Sequence, residues 1–271
     1  MRNLAALVAT SCFAGCTSTF AEPRILVSPY LALYRLRGDS SLQSRPAPQA
    51  PPEDNGAQSL RLFGQNHFRE DVGVRTDIGD GFGGLRVDYY RLDQGTSRNG
   101  VLEDDWGALQ VGDPARMRVA MDELRVAYLE PVWSTKANYR ERPLQLRAAV
   151  GAMLTWRDLA LGARTVDGSR GQGLGIEGET ASVAARLRAT WRDISLELDY
   201  ALSPDAVLGG DFGGMQQDVE LRASYTLSLQ DITFFGGYRY SELLATGSEG
   251  GLRYDADFVL DGFQLGVAVT F

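Results

Sequence analysis

The side chains of this chain that could do chemistry are arginines and carboxylates placed at every second position within apolar runs. Because successive residues of a strand point to opposite faces, this spacing gathers the charged side chains on one face. The leading candidates for that face are Arg75, Asp77, Arg86, Asp88, Arg147, Arg186, Arg188, Glu197, Asp199, Glu220, Arg222 and Arg239. The same alternation also places Arg61, Asp71, Glu123, Arg125, Asp158 and Arg164 on that face. They suit two arrangements: a solvated wall that selects small polar or charged solutes, or a lattice of salt bridges whose members satisfy only each other.

A catalytic or metal site is not indicated. His67 is the only histidine, and we expect it at the surface beside a periplasmic turn at Arg69, without a catalytic partner. The acidic segments 103–105 and 77–81 lack the ligand spacing of an EF-hand loop, so we expect solvated charges in loops. The glycines after Asp80 predict a tight hairpin. No phosphate loop, nucleotide fingerprint or zinc spacing occurs. We therefore predict no catalytic residue, no cofactor and no metal.

The charged positions lie within long runs of alternating apolar residues. The clearest runs are 144–156, 181–191 and 219–227, each near the ~10 residues that a tilted strand needs to cross a bilayer. Apolar residues make up 44% of the chain, but no run approaches the ~18 apolar residues of a membrane helix. The pattern predicts membrane-crossing strands with the apolar set toward lipid and the charged set inward.

The connections between these runs are of two kinds. Similar short sequence motifs occur at 155–159, 190–194 and 228–232. At each motif the apolar residues switch between odd and even positions, which predicts tight turns at one rim. Longer Gly-rich, acidic or Pro-rich connections are predicted on the other side at 38–58, 167–179, 203–216 and 244–255. Short turns on one side and long loops on the other are typical of bacterial barrels, with the short side periplasmic.

The N-terminus has the charged start and short apolar core of a secretory signal. We expect cleavage after Ala21, although Phe13–Cys16 also resembles a lipoprotein processing site at Cys16. Cleavage after Ala21 removes Cys12 and Cys16, the only two cysteines, and leaves one domain, 22–271. The formal net charge of −8 makes nucleic acid an unsuitable partner.

The last segment, Phe263–Phe271, is apolar at every odd position and ends on an aromatic residue. It resembles the terminal strand of Gram-negative outer-membrane β-barrel proteins. The resemblance implies a place in the cell outer membrane among lipid and lipopolysaccharide. It also implies that Phe271 is an assembly signal read by the barrel-assembly machinery. It identifies no specific family and no activity.

These observations predict an all-β, transmembrane antiparallel up-and-down β-barrel, monomeric, with both termini in the periplasm. Twelve strands are the leading count, which places 93–120 on the periplasmic side. Removing the two weakest strands, 59–68 and 159–165, gives ten and moves 93–120 outside. The leading function is a passive pore for small polar or charged solutes. The alternative is a closed barrel with a structural or partner-binding role through its loops, and a hydrolase is third.

Overall fold

The computed structural model describes residues 24–44, 55–65, 67–95, 98–204, 207–210, 212, 215–227, 231–249 and 251–271. The predicted signal peptide 1–21 and the prolines of 46–52 lie outside these residues. In the described segments, no helix is long and apolar enough to cross a membrane.

The described chain is almost entirely strand, with one 3-10 helix at Leu60–Phe63. The strands are β1 (Arg24–Ser44), β2 (Gln58–Ser59), β3 (Arg69–Gly79), β4 (Gly84–Gln94), β5 (Gly100–Val101), β6 (Pro114–Tyr139), β7 (Arg142–Thr165), β8 (Gly171–Trp191), β9 (Ile194–Ser203), β10 (Val207–Gly210), β11 (Gln216–Leu227), β12 (Ile232–Glu249) and β13 (Leu252–Thr270).

Ten of these strands close into a ring in the order β1-β3-β4-β6-β7-β8-β9-β11-β12-β13, and β13 pairs with β1. Every pairing is antiparallel, and the short strands β2, β5 and β10 pair with ring strands without belonging to the ring. The predicted antiparallel up-and-down barrel is therefore confirmed, and its ring has the smaller of the two counts. Segment 59–68 contains the 3-10 helix, and 159–165 continues β7, so neither makes a crossing of its own.

The register of the ring fixes its width. Following paired residues once around the barrel from Arg24 leads back to β1 at Leu36, a displacement of 12 residues (36 − 24). The residues on the way are Gly79, Gly84, Leu129, Gly151, Ala184, Ala201, Asp218, Ser241 and Leu260. With usual strand spacing this shear gives a tilt of roughly 40° and a backbone radius of about 10 Å. Long side chains from opposite walls therefore meet near the axis.

The two ends of the barrel differ. We call the turn rim the end that holds Arg24, Phe271 and the short connections 80–83, 140–141, 192–193 and 228–231, and the loop rim the other end. Arg140 and Glu141 have φ values of 49° and 60°, as the two-residue turns of twisted hairpins require. The segment 190–194 falls at the turn rim. Leu227 and Ile232 pair at the same rim, and 228–230 lie outside the described residues. The segment 155–159 does not form a turn at this rim, because it lies within β7.

The apparent switch at 155–159 has a different cause. Even-numbered residues of β7 face outward along its whole length. From Leu144 to Trp156 the outward residues are apolar, whereas beyond it Asp158 and Arg164 are exposed and Leu159 is buried inside. The surroundings of the strand change, and its direction does not. Asp158 and Arg164, predicted to face inward, therefore face outward, and Arg61, also predicted inward, is exposed in the 3-10 helix.

The ring accordingly has two halves. The lower half runs from the turn rim to the level of Leu33, Tyr89, Trp156 and Phe263, and the upper half continues to the loop rim. Every ring strand exposes an apolar side chain on the outside of the lower half, for example Leu31, Val72, Tyr89, Trp133, Leu154, Val183, Leu198, Leu221, Phe234 and Leu265. The upper half instead encloses an apolar core that includes Leu36, Leu92, Val119, Leu161, Ile176, Leu243 and Phe258.

Much of what the sequence predicts as long loops is strand. β8 begins at Gly171, β12 runs to Glu249 and β13 begins at Leu252, so 167–179 and 244–255 are largely the upper parts of hairpins. Residues 95–113 join β4 and β6 at the loop rim. This placement of the connection agrees with the ten-strand alternative and not with the twelve-strand count, which placed 93–120 on the periplasmic side.

Candidate functional site

The inward face of the lower half is filled by charged side chains, which we call the lumen lattice. Its loop-side cluster contains Arg75, Arg125, Arg157, Arg239, Asp88, Glu123, Asp218 and Glu220. Its turn-side cluster contains Arg86, Arg186, Arg188, Arg222, Asp77, Glu197 and Asp199. Eleven of the twelve leading candidates belong to the lattice, together with Glu123 and Arg125, which the same alternation predicts to face inward. The other one, Arg147, pairs with Asp80 at the turn rim and lies 4.3 Å over the Phe82 ring.

Opposite charges occupy directly paired positions of neighbouring strands. Arg75 of β3 faces Asp88 of β4 in register, and its Nη2 donates to Asp88 Oδ2 at 2.8 Å. Arg186 of β8 faces Asp199 of β9, with Nε donating at 2.6 Å. Cross-strand ion pairs of this kind stabilise a sheet locally. The alternation of charge that the sequence shows therefore becomes a ladder of pairs around the wall.

Other pairs cross the lumen from one wall to the opposite one. Arg75 of β3 donates to both oxygens of Glu220 on β11, at 2.7 and 2.8 Å. Arg239 of β12 donates to Glu123 of β6 at 2.7 Å, and Arg86 of β4 donates to Asp199 of β9 at 2.5 Å. The planar guanidinium favours such forked contacts because it offers donors on two edges. These braces tie opposite sides of the ring together through its centre.

Bulk solvent does not reach the side chains in the middle of the lattice. Arg75 is 1% exposed, and Glu123 and Arg239 are 0% exposed. A water-filled passage along the axis would leave such side chains partly accessible. The space that remains near the loop-side cluster is a cavity of about 40 Å³ lined by Arg75, Arg125 and Glu220 among others, enough for one or a few water molecules. The arrangement fits a braced lumen better than an open wall.

The β3–β4 hairpin closes the lattice toward the turn rim. Phe82 is 1% exposed, and its carbonyl accepts a hydrogen bond from Arg186 Nη1 at 2.8 Å. Arg188 donates to the Gly81 carbonyl. Asp80 Oδ1 accepts from the backbone amides of Phe82 and Gly83 at 2.8 and 2.6 Å. The tight hairpin that the sequence predicts after Asp80 is therefore present. Asp77, predicted as solvated loop charge, instead lies in β3 and pairs with Arg86.

The apolar core closes the barrel toward the loop rim. Within the β4–β6 connection, Leu102, Trp106 and Leu109 are 0–1% exposed, and Trp106 and Leu109 exchange backbone hydrogen bonds of 2.9 and 3.1 Å. Two carboxylates of the acidic segment 103–105 accept hydrogen bonds from backbone amides. Asp104 accepts from the Gly56 amide at 2.7 Å, and Asp105 accepts from the Val111 amide at 2.7 Å. This connection forms a folded plug in the mouth of the barrel.

Sequence reasoning missed two members of the lattice. Asp218 lies two residues before the predicted Glu220 on β11, so extending the alternation by one step would have found it. Arg157 falls in the segment 155–159, for which the sequence predicts a turn. In the structure it is 3% exposed and donates to Glu123 Oε2 at 2.7 Å.

His67 is exposed and lies two residues before β3 begins, at the end of β3 that is farther from the turn rim. The sequence placed it beside a turn at the opposite rim, a consequence of counting 59–68 as a strand. Among the described residues, no group of three or more His, Cys, Asp or Glu side chains is arranged to hold a metal ion.

No family model matches the chain, and no curated protein matches it. Several solved structures align with most of it. The P. putida toluene transporter TodX is 8% identical, with 96% of this chain and 92% of that chain covered and a TM-score of 0.31. Ail, the attachment invasion locus protein of Yersinia pestis, solved with the heparin analogue sucrose octasulfate, is 8% identical, with 90% and 99% covered and a TM-score of 0.27.

A Pseudomonas aeruginosa FadL homologue is 9% identical, with 93% of this chain and 90% of that chain covered and a TM-score of 0.24. These neighbours are Gram-negative outer-membrane β-barrels. Similarity at this level does not bear on what the chain binds or transports. Its barrel fold rests on its own strand pairing.

Proposed function

We propose that this chain is a closed outer-membrane barrel that acts through its upper half, in a structural or partner-binding role. The observation that carries the proposal is the filled lumen. The lumen lattice braces the lower half with side chains such as Glu123 and Arg239, which are 0% exposed. The plug around Trp106 fills the mouth above it. A passive pore would need both to be displaced.

The exterior supports a membrane position for the lower half. On β7, outward apolar residues continue from Leu144 to Trp156. At about 3.3 Å per residue and a tilt of roughly 40°, this run is about 30 Å tall, close to the hydrocarbon thickness of a bilayer. Short turns and both termini face the periplasm in bacterial barrels, so the turn rim is the periplasmic side in this proposal. Export through the signal 1–21 and assembly through Phe271 belong to the same proposal.

A row of arginines lies just above the apolar surface, where lipopolysaccharide phosphates would meet the barrel. Arg37, Arg91 and Arg118 have side chains that are 48%, 63% and 66% exposed. Arg118 also pairs with Asp93 at 2.5 Å, and this hydrogen bond holds the pKa of Asp93 below its usual range. Guanidinium groups at this level favour phosphate contacts. They support lipid and lipopolysaccharide as the surroundings of a monomeric barrel.

Single-channel recording separates the closed barrel from the pore. Mature protein, 22–271, refolded and inserted into a planar bilayer, is expected to give no stable current steps. Stable steps that disappear after heat denaturation would overturn the closed barrel and support the predicted passive pore. In that case, replacing Arg186 and Arg188 together by glutamine should change the reversal potential in a salt gradient, because both lie in the turn-side cluster. Folding of each sample is checked beforehand by circular dichroism.

A further inference from the structure

The lumen lattice carries unequal numbers of opposite charges. Within the described residues it contains eight arginines and seven carboxylates, so 8 − 7 leaves one positive charge. The loop-side cluster is balanced, with four of each. The turn-side cluster has four arginines and three carboxylates, so the excess lies there. An uncompensated charge in a desolvated site is costly, and such sites are stabilised by a counter-charge.

Arg222 has the fewest partners of the arginines in the turn-side cluster. In the described part of the chain its ion-pair partner is Glu197 alone. Within the same residues Arg188 also pairs with Glu197 alone, but it donates in addition to the Gly81 carbonyl. Glu197 is shared, because it also pairs with Arg86 at 3.3 Å, with Arg186 at 3.6 Å and with Arg188. One carboxylate therefore serves four guanidiniums, and part of the donor capacity of Arg222 is left over.

Arg222 borders a cavity of about 210 Å³ at the turn rim, which we call the vestibule. The basic side chains of Arg24, Arg188 and Arg222 line it. Asp77 and Glu197 line it as well, but Asp77 accepts from Arg86 at 2.5 Å and Glu197 has its four arginines. The vestibule is large enough for a small ion with part of its hydration shell.

Hydroxyl groups complete the lining. Ser195 and Ser224 are hydrogen-bonded at 2.6 Å, and Thr226 and Thr233 at 3.0 Å. In each pair one hydroxyl donates to the other, so the accepting partner still has a proton to donate elsewhere. Ser195, Ser224, Thr226 and Thr233 all line the vestibule. The cavity therefore combines spare cationic charge with spare hydroxyl donors.

We propose that the vestibule binds one small oxyanion of the inorganic phosphate class, held by Arg222 and the neighbouring hydroxyls. A tetrahedral oxyanion matches both donors, because guanidinium binds its oxygens in a forked geometry and hydroxyls donate singly. Bound there, it supplies the negative charge that the turn-side cluster lacks. The site opens to the turn rim and does not require an open lumen, so it is independent of the closed-barrel proposal.

Calorimetric titration of the folded barrel with inorganic phosphate, in a zwitterionic detergent, tests the site. Saturable binding of one phosphate per barrel is expected. Arg222→Gln should weaken it by about tenfold or more, since it removes a charged hydrogen-bond donor. Arg164→Gln is the matched control, because Arg164 is exposed on the outside of β7, and its binding should equal that of the parent. Absence of saturable binding by the parent protein would overturn the proposal.

A second variant tests the charge argument in the opposite direction. Ser224→Asp places a carboxylate in the vestibule beside Arg222 and supplies the missing charge from the chain itself. In phosphate-free buffer this variant should have a higher thermal midpoint than the parent, and phosphate should no longer raise that midpoint. If phosphate raises the midpoint of both proteins equally, the effect is a general one of the salt and the vestibule is not a site. This comparison also decides the case if Arg222→Gln does not fold.

Discussion

Arg239→Met tests whether the cross-lumen braces hold the barrel closed. Arg239 is 0% exposed and donates to Glu123 at 2.7 Å and to Asp218 at 2.6 Å, and its guanidinium lies 5.2 Å from the Tyr90 ring centre. Methionine keeps much of the side-chain volume and removes the charge. The loop-side cluster then changes from four arginines and four carboxylates to three and four, which leaves one buried carboxylate without full compensation.

The expected loss of unfolding free energy is about 3–5 kcal/mol, the usual cost of removing one partner of a buried ion pair. Adding Asp218→Asn restores the balance at three and three. The double variant should therefore be about 1–3 kcal/mol more stable than the sum of the two single losses predicts. This non-additive gain in stability is specific to the charge balance, because losses of packing at two separate sites would simply sum.

Reversible urea unfolding of the barrel in lipid vesicles, followed by tryptophan fluorescence, measures these free energies. Arg164→Met makes the same change at an exposed position outside the ring and should stay within about 0.5 kcal/mol of the parent. A loss below about 1 kcal/mol for Arg239→Met, or additive losses within about 0.5 kcal/mol for the double variant, would refute the bracing role.

Three further predictions concern the rims. Trp106→Ala removes a side chain that is 0% exposed, at a cost of about 3–5 kcal/mol, so hydrogen exchange should speed up in the β4–β6 connection while bilayer recordings stay silent. Hydrogen bonds from Thr165 and Ser169 lower the pKa of Asp167 to about 2. An NMR titration of the Asp167 carboxyl group should show this lowered pKa. The contribution of Asp167 to stability should be complete above the unfolded-state pKa of about 4 and lost as pH falls through about 2. Phe271 is 76% exposed, so Phe271→Ala should leave unfolding free energy within about 0.5 kcal/mol while lowering outer-membrane yield in cells.

The strands of the lower half could be predicted because their signal is local. Apolar residues at even positions of 144–156 meet one environment and the residues between them meet another, and the turn after Trp191 follows directly from a change of phase. The inward direction of Arg186 and Arg188 follows from the same alternation. None of these inferences needs knowledge of a distant part of the chain.

The partners of those side chains could not be predicted because they depend on ring closure. Arg75 and Glu220 are 145 residues apart in sequence, and they meet because a ring of ten strands has a particular width and shear. Twelve strands would have separated the same walls further and favoured a solvated lumen. The number of strands is set by the register of the whole ring. It decides in turn between a solvated wall and a lattice of salt bridges.

The change of apolar face along β7 shows why the two halves are filled so differently. In the proposed membrane position, lipid surrounds the lower half of the ring. Moving an apolar side chain from lipid to the lumen then gains little, since lipid tails are as apolar as leucine. Polar braces such as Arg239 with Glu123 can hold the interior there. In the upper half water surrounds the ring, so burying Leu159 and its neighbours is favourable. In that proposed position, Trp156 marks both the membrane boundary and the level at which the apolar core and plug replace the lattice.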